Sequence, residues 1–165
     1  MAETTIQEQL VKYLGDAHAL EQHVSRQLDG MIATTDDPEM REHLEHHKEE
    51  TERHKELLAE RLQAYGEEPS VVKDAGNIFA AMGKGMLDVA RPDNAGKNAR
   101  DGFVAEHLEI ASYELLERVA IRAGDEETAD VARRNRADEE AMAEKIAASW
   151  DRVVELSLEQ EGVTA

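Results

Sequence analysis

The stretch EHLEIASY, Glu106–Tyr113, places two glutamates three residues apart in a helix-like segment. Its other markers, Phe103, Ile110 and Leu116, recur as a buried stripe. A carboxylate on such a stripe is expensive to bury unless it is paired or bound to a cation. Glu106 and Glu109 therefore ask what the rest of the chain brings to meet them.

Working outward, the spacing predicts four long helices. The first runs from about Thr5 to Ala33, with Leu10, Leu14, Ala17, Glu21, Val24, Leu28 and Met31 on one face. Asp37 and Pro38 open a second, to about Tyr65, as N-cap and first-turn proline. Its stripe is Met40, Leu44, His47, Glu50/Thr51, His54, Leu58 and Tyr65. A third runs from about Asn94 to Arg122 and stops at Gly124. A fourth runs from about Glu126 to Leu158, through Val131, Asn135, Glu139, Met142, Ile146, Trp150 and Val153. Two short turns make two antiparallel hairpins. The connection at about 66–98, rich in small and apolar residues, joins them and is predicted to carry one or two short extra helices. This predicts an all-α, ferritin-like antiparallel four-helix bundle with one long crossover. It would be a single domain over 1–160 with a tail at 161–165.

Every predicted helix brings a glutamate to its inward face near mid-length: Glu21, Glu50, Glu106 with Glu109, and Glu139. In an antiparallel bundle these positions meet at one level, where carboxylates repel one another unless a cation intervenes. His47 and His54 lie three before and four after Glu50, so either could supply a nitrogen ligand. Met142 stands three residues after Glu139, where a Glu-x-x-His pattern would place its histidine. Asp138 or Glu140 could compensate there. Glu106 and Glu139 are 33 residues apart, as are Glu21 and His54, whereas Glu21 and Glu50 are 29 apart. Either the first hairpin has the shorter turn, or His54 holds the place a glutamate would take. Oxygen-rich ligands with imidazole suit iron or manganese.

The segments YLGDAHALEQHV (13–24), HHKEETERHKELL (46–58) and EHLEIASYELL (106–116) resemble the YciF/YciE-type ferritin-like family of bacterial stress-associated proteins. The resemblance covers about Ile6 to Trp150. It implies a four-helix fold, a homodimer and a dimetal centre at Glu21, Glu50, Glu106, Glu109 and Glu139, with His47 matching the family's second-helix histidine. Two iron ions, alternatively manganese, would react with dioxygen or peroxide, as in a ferroxidase or a peroxide-reactive oxidoreductase. On this reading Glu21 and Glu139 are terminal or semi-bridging ligands. Glu50 and one of Glu106 and Glu109 bridge, and Tyr113 is a candidate to hydrogen-bond a ligand carboxylate. The competing expectation is a non-catalytic stress or scaffold bundle.

Composition bounds the rest. The chain of 165 residues has no cysteine, so thiolate sites and disulfides are excluded. Its formal charge of −18 opposes binding to nucleic acid or anionic membranes. No apolar leader opens the sequence, and the expected location is the cytoplasm.

Overall fold

The computed structural model describes residues 4–69 and 94–163, and among them every regular element is helical. The elements are α1 (Ile6–Thr34), α2 (Pro38–Ala64), α3 (Asn94–Ala123), α4 (Glu126–Ala148) and α5 (Trp150–Gln160). Local chemistry sets the boundaries. Thr5 and Glu8 form a reciprocal capping box at the start of α1. The Asp37 carboxylate accepts from the Met40 amide to open α2, and Asp125 accepts from the Thr128 amide to open α4. Gly124 closes α3 at φ +75°, a left-handed conformation that costs glycine nothing.

Cross-helix contacts fix the topology. Ser25 bonds Glu52 and Glu21 meets His54, so α1 and α2 run antiparallel. Arg133 reaches Glu117 and Arg136 reaches Glu114, so α3 and α4 do the same. Tyr113 meets Glu21, while Asn98, earlier on α3, meets Thr34 at the end of α1. Hence α3 is antiparallel to α1 and parallel to α2. Parallel helices that follow one another in the chain require the connection between them to travel the length of the bundle, as in ferritin-like folds. The described ends of that connection agree: Arg61 and Tyr65 lie beside Asp125 at one end, and Asn94 lies beside Gln160 at the other. The expected short helices within the crossover lie outside the described residues.

One expectation needs correction. The fourth helix does not run unbroken to Leu158, because α4 ends at Ala148 and α5 starts at Trp150. The Ser149 amide bonds Ile146, three residues back, and the Ser149 hydroxyl bonds the same carbonyl. A hydroxyl competing for a helix carbonyl tightens and bends the turn.

The apolar core is divided along the bundle axis. One cluster holds Leu10, Leu14, Leu58, Leu62, Leu116 and Ala120 near the α3–α4 turn. Two others hold Leu20, Val24, Leu28 and Met31, and Ala99, Met142 and Ile146, toward the opposite end. A polar layer sits between them.

Candidate metal centre

That layer is built by four helices, each contributing from its inward stripe. Glu21 comes from α1, His47 and His54 from α2, Glu106 and Glu109 from α3, and Glu139 from α4. All six are at most 2% exposed. The apolar neighbours that make each helix amphipathic also carry these polar groups inward. Helix burial here comes from the face as a whole, not from the single residue.

The ligand atoms fall into two groups, each with mutual separations within 4.8 Å: His47, Glu106, Glu109 and Glu139, and Glu21, His54 and Glu139. Glu139 belongs to both. His47 Nε2 lies 3.2 Å from Glu106 Oε1 and 3.4 Å from Glu139 Oε2. His54 Nδ1 lies 3.2 Å from Glu21 Oε1 and 2.9 Å from Glu139 Oε1. His54 therefore faces Glu21, 33 residues before it, across the first hairpin.

Glu50 stands apart from both groups. Its carboxylate lies 3.3 Å from His47 Nδ1 and 3.3 Å from His46 Nε2, and its side chain is 13% exposed. Thr51, its neighbour on the predicted stripe, is the one fully buried. Met142 is buried and donates nothing to either group; Asp138 reaches the centre only through His54 Nε2, at 3.1 Å. Glu140 pairs with Arg136, at 3.5 Å. The Tyr113 hydroxyl donates to Glu21 Oε1 and accepts from Asn135 Nδ2 at 3.1 Å. Asn135 gave no sign in the sequence beyond its place on the α4 stripe. Only its burial against Tyr113 gives it a role.

The donor set could hold a metal ion. Glu21 Oε2, Glu106 Oε2 and both oxygens of Glu109 are buried with no hydrogen-bond partner. Native structures rarely leave such atoms unpaired. Here they belong to residues of the two ligand groups, Glu106 and Glu109 to one and Glu21 to the other. The protonation pattern reports the same crowding. Burial pushes Glu109 well above the ordinary carboxylate range, and the Glu21, Glu139 and Glu106 charges push it further. Burial also raises Glu139 to about 7, against the hydrogen bond to His54 and the His47 charge. Burial lowers both imidazoles, but the carboxylates outweigh it. Glu106 and Glu50 raise His47 to about 10, and Glu139 and Glu21 raise His54 to about 10. In the metal-free protein, protons held on these groups partly offset the repulsion among the carboxylates.

A cavity of about 370 Å³ adjoins the centre, with Leu28, Met31, Leu44, Met142 and Ile146 on its apolar side, charged residues such as Asp37 and Arg152 at its rim, and Glu106 on its wall. It lies at the end of the bundle where α1 stops and α2 begins.

Comparison with known proteins gives one matching family, described as "Domain of unknown function (DUF892)", over residues 5–159. Similar solved structures include a protein (XCC3681) of Xanthomonas campestris pv. campestris, 27% identical, with a TM-score of 0.80 over 96% of this chain and 100% of that one. YcfI of Rhodopseudomonas palustris is 23% identical, with a TM-score of 0.74 over 87% and 94%. The E. coli stress protein YciF is 17% identical, with a TM-score of 0.73 over 98% and 100%. At those last two identities the likeness is one of fold.

Proposed function

The chain belongs to the DUF892 family of YciF-type helical bundles, and on that premise we propose that it is a ferritin-like dimetal carboxylate protein. It holds two iron ions, or manganese, and handles iron with dioxygen or peroxide under stress. The observation that carries this reading is the pair of buried His/Glu groups sharing Glu139. His47, Glu106 and Glu109 would hold one ion, Glu21 and His54 the other, and Glu139 would span both. Such ions, when bound, would supply one-electron changes that together match a two-electron oxidant.

The chain's own groups set the conditions. Tyr113, anchored by Asn135, orients Glu21. His47 and His54 must give up protons before their lone pairs can bind a cation. The anionic surface favours approach of cations. Cytoplasmic residence stays part of the proposal; among the described residues no helix is long and apolar enough to cross a membrane.

The test is elemental analysis and calorimetry after loading with Fe(II) or Mn(II). The expected content is about two ions per chain. Glu139→Gln, which touches both groups, is expected to lose most of that content. Loading should also raise Tm, because a ligand of the folded state stabilises it. A wild-type content near zero with an unchanged Tm would overturn the proposal in favour of a non-catalytic bundle.

A further inference from the structure

Each of the two buried imidazoles spans from the centre to a carboxylate outside it. His47 points Nε2 at Glu106 and Glu139, and its Nδ1 lies 3.3 Å from Glu50 Oε2. His54 is turned the other way. Its Nδ1 faces Glu21 and Glu139, and its Nε2 lies 3.1 Å from Asp138 Oδ2. Glu50 and Asp138 belong to neither ligand group, and both reach solvent, at 13% and 38% side-chain exposure against 1% for each histidine.

We infer that Glu50 and Asp138 are positioning residues that commit His47 and His54 to opposite ring nitrogens, Nε2 for His47 and Nδ1 for His54, toward the two ions. The inference rests on the dimetal reading. A neutral imidazole has one N–H and one lone pair. A carboxylate accepts only, so the nitrogen facing Glu50 or Asp138 carries the proton and the other nitrogen is left to bind metal. The outer carboxylate also fixes the ring plane and increases the basicity of the ligating nitrogen.

The opposite orientation follows from helix geometry. His47 and His54 sit seven residues apart on α2, about two turns, so they share a face but stand at different levels. His47 finds its outer carboxylate on its own helix, three residues on. His54 finds its partner on α4, at the residue before Glu139. Glu139 thus receives one ring from each direction. Glu50 also contacts His46, whose side chain is 59% exposed, at 3.3 Å. This holds the Glu50 carboxylate with one oxygen on each imidazole.

The test uses Zn(II) as a diamagnetic probe and ¹⁵N-histidine long-range NMR on the full chain. In the zinc-loaded wild type, His47 is expected to keep its proton on Nδ1 and His54 on Nε2. Glu50→Gln and Asp138→Asn should each weaken zinc binding by about 10- to 100-fold, in competition with a chelating dye. The proton each variant leaves unsupported should exchange faster with water, a change that loss of packing alone does not produce. Zinc bound through the same nitrogen of both rings overturns the inference, as do affinities within about twofold of wild type in both variants. The nitrogen assignment is made on the wild type and does not depend on either variant folding. Failure of the wild type to bind zinc at all would instead remove the dimetal reading itself.

Discussion

At the scale of single residues, the centre is a problem in proton accounting. Glu109 and Glu139 are raised by burial and by neighbouring carboxylates, whereas His47 and His54 are raised by those same carboxylates against burial. Near neutrality the metal-free centre therefore holds protons that a cation must displace. The sign follows directly: protons bound before loading and released on loading make apparent affinity rise with pH. Between pH 6 and 8 the affinity for Mn(II) should increase, by up to about tenfold per pH unit for each proton released. Titration calorimetry in buffers of different ionisation enthalpy counts those protons. The ligand types were legible in the sequence, and Glu50 shows where that legibility ended. Steps of about 100° per residue put Thr51 some 40° to one side of His47 and Glu50 some 60° to the other. Periodicity alone keeps both on the seam. The packing chose Thr51 for the interior and left Glu50 at the edge.

At the scale of elements, boundaries come from short-range chemistry and were largely readable. Asp37–Pro38 and Gly124 mark helix ends in the sequence and mark them in the structure, where Asp125 adds the cap of α4. Asp125 does more than cap α4. It also accepts from Arg61 Nη2 at 3.0 Å and from the Tyr65 hydroxyl at 2.8 Å, tying the end of α2 to the α3–α4 turn. Burial raises its carboxyl, but the bonds from the Thr128 hydroxyl and amide, Tyr65 and Arg61 outweigh this and hold it at about 2. A depressed folded-state value means a stability contribution present above the ordinary 3.8 and lost as pH falls through about 2. Asp125→Ala should lower stability at neutral pH by about 2–4 kcal/mol in urea unfolding, with a smaller difference from wild type below pH 2. The break at Ser149 escaped the sequence reading, because the apolar stripe continues through it from Ile146 to Val153. A bend changes which carbonyl each amide meets without moving the stripe far from the core.

Across the whole molecule, among the described residues, large apolar side chains are exposed on α3 and also on α5, at Trp150, Val154 and Leu158. On α3, Val104 and Leu115 are 39% and 51% exposed and, eleven residues apart, share the face opposite Glu106 and Glu109. Homodimerisation through this face is our proposal for its use. Light scattering should give a dimer mass for the wild type and a monomer mass for Leu115→Glu, with metal content unchanged, because Leu115 lies outside both ligand groups. The chain's own pattern carried four helical segments, though not the break at Ser149, together with the two hairpins and the kind of atom brought to the middle of the bundle. Those depend on periodicity, capping and charge burial, which act within a few residues along the chain. The packing of helix on helix brought Glu139 into both ligand groups, set His54 against Glu21 and Glu50 and Asp138 behind opposite ring nitrogens, and placed Asn135 against Tyr113. These relations depend on the rotation and axial offset of one helix against another. Both are set by the packing of whole faces, and no single helix's pattern carries them.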